Sequence, residues 1–347
     1  MKMKPEELFM HRAMQLAELG RGKVSPNPMV GCVIVHDDKV IGEGWHKQYG
    51  EAHAEVNAIK SVEDQGLLQH ASVYVNLEPC SHTGKTPPCA DLLIKHKVKQ
   101  IHIANPDPNP LVSGAGIKRL EGAGIPVSIG LLAREGEELN KRFLTFHRLG
   151  RPYIILKWAQ TADGFIAKEN NESKWISNES SRQLVHKWRT IEDSILVGRE
   201  TAAHDNPRLN NRHWLGRDPI RLVIDPGLTL DQLLFLFDQS QMTYCFNAVK
   251  ELQDGANLIF AKVGTKRMLE DILSRLYLDG IQSVLIEGGA KTIQSFVDKS
   301  LWDEARVFSS SKKFFKGISA PEIKGSLTSK EYIDGDELCI YHNGTKT

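Results

Sequence analysis

His53-Ala54-Glu55, followed by Pro79-Cys80 and then by Cys89, is the stretch on which the reading of this chain turns. A neutral imidazole and two thiolates supply three ligands for a zinc ion, and a three-ligand site keeps one coordination position for water. A closed structural site would require a fourth protein ligand. The carboxylate of Glu55, two residues past the histidine, is spare. Beside a metal-activated water it has the chemistry to take a proton and pass it to a leaving amine. Any one of these residues alone would be read as an ordinary core side chain. Their order points to a catalytic metal, with His-x-Glu opening a helix and Pro-Cys closing a strand.

Working outward, Pro5 to Leu19 reads as an amphipathic helix, with Leu8, Phe9, Arg12, Leu16 and Leu19 near helical spacing. Ser25-Pro26-Asn27-Pro28 is a loop, because two prolines exclude a helix. Val30 to Val35 and Val40 to Trp45 read as a hairpin turned at His36 to Lys39. A helix runs from His53 to about Val62. A β-rich run, Ser72 to Leu77, precedes Pro79-Cys80, and a second helix spans Cys89 to His96. Gln100 to Ala104 and Val127 to Ile129 are strands joined through a helix near Ile117 to Gly122. Helix, hairpin and then βα alternation predict a mixed or mostly parallel sheet between helices. Two helices thus begin at the ligands, and positive helix N-termini favour the thiolate.

The 347 residues favour two domains over one. Hydrophobic content of 41% with 25% charged residues is that of a soluble globular protein. A formal net charge of +1 points to neither nucleic acid nor a membrane surface. The first residues contain no apolar run of the kind that opens a secretory leader, and no stretch approaches transmembrane length. The cysteines are Cys32, Cys80, Cys89, Cys245 and Cys339. An odd count without a leader leads us to expect reduced thiols and a cytoplasmic location. Cys32 and Cys339 read as ordinary buried residues.

His-x-Glu with Pro-Cys and a further Cys is the signature of zinc-dependent deaminases of nucleobase-like rings, whose usual form has two residues between the cysteines. Here the cysteines are separated by Ser81-His82-Thr83-Gly84-Lys85-Thr86-Pro87-Pro88. The segment resembles the deaminase half of the bifunctional riboflavin-biosynthesis deaminase/reductase family, whose pattern Pro-Cys-Ser-His-x-Gly-x-Thr-Pro-Pro-Cys it fits. Ser25-Pro26-Asn27-Pro28-x-Val30-Gly31 and His46 through Glu55 fit too. A polar loop stiffened by Gly and Pro offers His82, Thr83 and Lys85 to a substrate larger and more anionic than a bare base. The resemblance implies a cytidine-deaminase-like, three-layer α/β/α domain. It implies hydrolytic deamination of 2,5-diamino-6-(5-phosphoribosylamino)pyrimidin-4(3H)-one, with Glu55 shuttling the proton. It puts Asn27, His46, Ala54, His82 and Lys85 at substrate-contact positions.

Glu135 to Arg148 reads as one helix and Leu149-Gly150-Arg151-Pro152 as a break, so the domains are taken as 1–148 and 149–347. Tyr153 to Leu156 is an apolar strand leading to Lys157. Lys157-x-Ala159-x-x-x-Asp163-Gly164 is similar to the entry motif of the riboflavin-pathway reductase, a relative of dihydrofolate reductase. That likeness implies a second α/β domain that uses NADPH. A helix capped near Ser177 or Asn178 carries Arg182 and Arg189 on roughly one face. Val197-Gly198 leads to Thr201 and Asp205, and Ser283 to Ile286 leads to Glu287-Gly288-Gly289 and a helix from Ala290 to Asp298. Strand, Gly-Gly and helix can cradle a phosphate. By resemblance, Ala159, Trp175, Thr201, Asp205 and the run Gly289, Ala290, Lys291, Thr292, Ile293, Gln294 and Ser295 are NADP-contact positions. Ser173, Arg189, Leu209, Arg212 and Glu287 are substrate-contact positions. Lys157, Asp205 and Glu287 are the expected catalytic groups for reducing the ribosyl group to ribityl. The resemblance weakens over Asp231 to Lys262, where no strands are assigned. The family likeness also implies a homo-oligomer, a dimer or tetramer.

Two other readings stand beside this one. The chain could be a single-activity nucleobase or nucleoside deaminase with a non-catalytic C-terminal domain. It could also be a zinc scaffold closed by a fourth ligand, for which His82 is the nearby candidate.

Overall fold

The computed structural model describes residues 3–81, 87–109, 112–169 and 176–344, and the chain separates into two compact units, Met1–Gly150 and Arg151–Thr347. The elements of the first unit are α1 (Pro5–Glu18), β1 (Gly31–His36), β2 (Lys39–Trp45), α2 (Ala54–Ser61), β3 (Ser72–Leu77), α3 (Cys89–Lys95), β4 (Gln100–Asn105), α4 (Ala115–Gly122), β5 (Val127–Ile129), α5 (Ala133–Leu139) and α6 (Lys141–Leu149). Pro5 opens α1, where its missing N–H costs nothing, and Glu7 accepts from the Lys4 backbone at 2.8 Å.

The five strands order β2-β1-β3-β4-β5. The β2, β1 and β3 neighbours are antiparallel, and β3, β4 and β5 are parallel. Alternation along the strands divides the core between two faces. Cys32, Ile34, Val73, Val75, Ile101 and Ile103 face α2, α3 and α4. Val33, Val35 and Tyr74 face α1. Each large apolar side chain so buried contributes roughly 1.5–3 kcal/mol. The layers are α/β/α.

Two expectations change. The buried stripe of α1 is Met10, Ala13, Met14, Leu16 and Ala17, so Leu16 packs inward as expected while Leu8 and Leu19 are exposed. The alanines let the helix close on the sheet: a Cβ on Gly31 would lie 2.0 Å from the Ala13 carbonyl oxygen. The single helix over Glu135 to Arg148 is two helices, α5 and α6, broken at Asn140. That buried amide turns inward to accept from the Met29 N–H and donate to the Met29 carbonyl, both at 2.9 Å.

In the second unit the elements are β6 (Tyr153–Gln160), β7 (Phe165–Ala167), α7 (Glu179–Ile191), β8 (Ser194–Gly198), α8 (Arg199–Asp205), β9 (Ile220–Ile224), β10 (Thr243–Asn247), β11 (Leu252–Gln253), β12 (Leu258–Lys262) and α9 (Met268–Leu278). They continue with β13 (Ser283–Ile286), α10 (Ala290–Asp298), β14 (Glu304–Ser309), β15 (Ile318–Ser319), β16 (Ser326–Ile333) and β17 (Asp336–His342). Ten strands order β11-β12-β10-β9-β8-β13-β6-β14-β17-β16. From β12 to β14 the neighbours are parallel, and the two edges are antiparallel. Ile154, Leu156, Leu196, Val284 and Ile286 meet α9 and α10, and Ile155 and Leu285 meet Val185 and Trp188 of α7. Asn178 caps α7, accepting from the Ser181 N–H at 2.8 Å. Three strands, β10, β11 and β12, lie in the stretch where none was assigned.

Candidate active sites

In the first unit, His53 is the N-cap of α2 and Cys89 the first residue of α3, while Cys80 follows the end of β3. Their ligand atoms lie within 4.8 Å of one another. The Nδ1 of His53 is 3.5 Å from the Cys80 sulfur and 3.4 Å from the Cys89 sulfur. A tetrahedral zinc with bonds of about 2.0 Å to nitrogen and 2.3 Å to sulfur sets N and S about 3.5 Å apart, so donors and spacing both fit that ion. Hydrogen bonds from the Cys89 side chain and from His53 draw the Cys80 thiol down to about 4 against its burial. The Cys89 backbone N–H adds a contact at 3.3 Å.

Glu55 sits one residue into α2 and is 3% exposed. Burial first, and the Cys80 thiolate second, raise its carboxyl pKa. A carboxyl so placed can both accept and release a proton. The His46 Nδ1 is 3.2 Å from the Ala52 carbonyl, which only accepts, so Nδ1 carries the proton and Nε2 accepts from the Asn27 amide at 3.1 Å. Burial keeps this imidazole neutral. Asn27, His46 and His53 are therefore linked, the two rings packing edge-on at 5.5 Å. Ala54 is fully buried beside the ligand. His82 and Lys85 lie outside the described residues.

Glu78 was missed from sequence. Its buried carboxylate accepts from the N–H groups of Asp107, Gly114, Gly116 and Ile117 at 3.0–3.3 Å, which ties the start of α4 to the turn before Cys80. The available signal was an acidic residue directly between an apolar strand and Pro-Cys.

In the second unit, the register pairs Leu156 with Ile286, so Lys157, within β6, lies beside Glu287, the residue that follows the end of β13. Both Glu287 oxygens accept from the Arg189 fork at 2.9 Å, and the Lys157 ammonium is 3.5 Å away. Burial opposes ionisation of Glu287, but Arg189 and Lys157 outweigh it and hold the carboxyl at about 2. Burial lowers the Lys157 pKa, partly offset by Glu287.

These groups line a cavity of about 1040 Å³ at the carboxyl ends of the parallel strands, where open α/β sheets bind ligands. Ala159, Thr201, Asp205, Arg212, Gly289, Ala290, Lys291 and Thr292 line it too. Close backbone approach sets the turn. A Cβ on Gly198 would meet the Thr292 hydroxyl at 2.2 Å, and one on Gly288 would meet the Gly198 nitrogen at 2.9 Å. The Gly289 N–H donates to Thr201 Oγ1 at 2.8 Å, and an exposed Lys291–Glu200 pair joins α10 to α8.

Not every expected residue reaches the cavity. Ile293 packs in the core, Gln294 bonds to Asp298 and to the Glu322 N–H, and the Ser295 hydroxyl donates to the Thr292 carbonyl. Leu209 belongs to the apolar cluster with Ala202 and Phe237. Helical periodicity accounts for the first three, since one face of α10 cannot turn towards both cavity and core. Ser173 and Trp175 lie outside the described residues. His186, which sequence reading passed over, lines the cavity.

Residues 3–105 match the family model described as the cytidine and deoxycytidylate deaminase zinc-binding region, and residues 152–314 match the RibD C-terminal domain. A riboflavin biosynthesis protein RibD from Bacillus amyloliquefaciens is 43% identical over 95% of this chain and 88% of its own length. The chain belongs to the RibD family. The RibD of Escherichia coli (strain K12) is 36% identical over 87% of each chain. A diaminohydroxyphosphoribosylaminopyrimidine deaminase/5-amino-6-(5-phosphoribosylamino)uracil reductase from Thermotoga maritima has a crystal structure 37% identical in sequence. It matches with a TM-score of 0.89 over 97% of this chain and 98% of that one. An Acinetobacter baumannii RibD matches at 0.88 with 33% identity over 98% and 99%. The RibD family thus spans both units, a zinc-binding deaminase fold and a reductase fold, as the sequence led us to expect.

Proposed function

We propose that the chain is a bifunctional enzyme of riboflavin biosynthesis. It deaminates 2,5-diamino-6-(5-phosphoribosylamino)pyrimidin-4(3H)-one and then reduces the ribosyl group of 5-amino-6-(5-phosphoribosylamino)uracil to the ribityl form. The observation that carries the first half is the convergence of His53, Cys80 and Cys89 within 4.8 Å beside the buried Glu55. Zinc held there supplies a Lewis acid that lowers the pKa of water to about 7. Glu55 takes the proton of the attacking water and delivers it to the exocyclic amine, which leaves as ammonia. Asn27 and the neutral His46 orient the ring at the mouth of the site.

The second half rests on Lys157, Glu287 and Arg189. NADPH supplies the hydride for C1′ of the sugar. Arg189 cannot give up a proton at working pH, and Glu287 stays ionised beside it. Lys157 is then the member of the trio able to move a proton, and its lowered pKa makes it a readier donor. Glu287 holds that ammonium against the ribose. Thr201, Asp205 and the turn at Gly289 flank the cofactor. The Lys157–Glu287–Arg189 trio lining the cavity favours this over a C-terminal domain that merely binds.

The described helices include none long and apolar enough to cross a membrane. All five cysteines are free thiols, which supports a cytoplasmic setting for a small-molecule substrate. We extend the proposal to a homo-oligomer, to be checked by light scattering. The deciding assay supplies the pathway substrate and follows ammonia and NADPH together. Ammonia release without NADPH oxidation would leave only the deaminase half. NADPH oxidation that requires added deaminated intermediate would leave only the reductase.

A further inference from the structure

Arg182, His186 and Arg189 stand at four- and three-residue spacing on α7 and all line the reductase cavity. Two of the three have the partners a helix face would give them. Arg182 reaches back to the Ser177 carbonyl at 2.8 Å, and the Arg189 fork is spent on Glu287. His186 is different. It is 5% exposed, and its Nδ1 accepts the backbone N–H of Arg212 at 3.2 Å. A backbone amide only donates, so Nδ1 carries no proton and the neutral ring carries it on Nε2. Among the described residues nothing accepts from Nε2.

The charge around the ring is lopsided. Lys157, Arg189 and Arg212 line the same cavity, and the single charge of Glu287 is shared between the first two and balances only one of them. Arg212 has no carboxylate partner among the described residues; its side chain donates to the Asn210 amide oxygen at 2.8 Å. Burial, together with Arg189, Arg212 and His213, presses the His186 pKa down to about 4. A protonated ring would lose its bond to the Arg212 backbone and add a third cation between two guanidinium groups. The ring therefore stays a neutral donor beside surplus positive charge. That combination suits a phosphate, which takes a donor hydrogen bond from a neutral group and charge from a neighbouring one.

We propose that His186 is a substrate-binding residue of the reductase site, donating from Nε2 to the phosphate of the phosphoribosyl group while its Nδ1 seats Arg212 against the same anion. The inference rests on the reductase reading above and adds to it a residue and the part of the substrate that residue holds.

The test compares His186→Phe, which keeps a ring and removes both polar atoms, with His186→Gln, which keeps a donor and an acceptor. Reduction of 5-amino-6-(5-phosphoribosylamino)uracil is followed at saturating NADPH, alongside the dephosphorylated substrate. Urea unfolding followed by tryptophan fluorescence of the second unit reports that each variant is folded. His186→Phe is expected to raise KM for the phosphorylated substrate about tenfold or more, as for a lost bond to a charged group. The change in kcat and in KM for NADPH should be smaller, the dephosphorylated substrate should show no such penalty, and His186→Gln should recover most of the loss. An unchanged KM, or an equal penalty on both substrates, overturns the proposal. A second measurement does not need turnover. Ribose 5-phosphate, but not ribose, should slow amide exchange over residues 206–219 in the full chain, and His186→Phe should abolish that protection. Protection without any NADPH oxidation would sink the reductase reading and leave the phosphate corner standing. Absence of protection in the unmodified chain overturns the corner itself.

Discussion

Glu55 and Glu287 are both buried carboxylates, and their neighbours send them in opposite directions. Glu55 has burial and a thiolate against ionisation, so it holds a proton readily. Glu287 has a guanidinium fork and an ammonium, so it remains an anion. Two carboxyls with pKa values pushed apart are suited to different tasks. Replacing Glu55 with Gln should cut ammonia release by about 10²–10⁴-fold, the usual weight of a general acid-base group. Reduction of supplied deaminated intermediate should persist. If both rates fell together in a folded protein, the division of labour would be wrong. For Glu287 the folded value of about 2 lies below its ordinary 4.5. A depressed carboxyl stabilises the fold above its unfolded pKa and loses that contribution as pH falls through the folded one. The stability of the second unit to urea should therefore fall from about pH 4.5 towards pH 2 by on the order of 2–3 kcal/mol. Glu287→Gln should show less of this slope; identical slopes would mean that the ion pair does not set it.

At the scale of elements, Asn140 shows how one side chain divides a helix. Its amide closes both the N–H and the carbonyl of Met29, two residues from Asn27. Asn140→Ala leaves the buried Met29 N–H unpaired, at about 1–3 kcal/mol, while the Met29 carbonyl keeps its bond from the Asn76 amide at 2.9 Å. The urea midpoint of the first unit should drop accordingly, and the deaminase KM should rise as the Asn27 loop loosens. An unchanged midpoint would show that water fills the gap. The break at Asn140 was not legible because Glu135 to Arg148 keeps helical periodicity across it; the reason lies in Met29, more than a hundred residues away in sequence. The elements near the zinc ligands were legible, since β1 and β2 flank the polar turn at His36 to Lys39, β3 is a β-rich run leading to Pro79-Cys80, and α2 and α3 start at the ligands themselves. Strands β10 and β12 were not. They are short, buried on both faces and parallel, so they show no alternation to read. His186 and Glu78 escaped for a related reason. Each acts through backbone N–H groups brought near only by the fold, and no local pattern announces such a partner.

Across the whole molecule, each compact unit carries one set of chemical groups, and no zinc-ligand residue belongs to the unit that holds the cavity. Chelation of zinc should therefore abolish ammonia release while NADPH oxidation on the deaminated intermediate continues. Loss of both activities, with the second unit still folded by fluorescence, would refute independent sites. A fragment of residues 151–347 should likewise bind NADPH, as seen by quenching of its tryptophans. The glycines at 198 and 288 bear on how that unit could be re-engineered. With the Thr292 hydroxyl 2.2 Å from the place a Cβ would take at Gly198, the turn tolerates no enlargement. A programme to retrain the reductase for NADH would have to leave those glycines untouched. The freely variable ground is the solvent-facing Glu200–Lys291 bridge, where charge can be reversed or erased without moving any backbone.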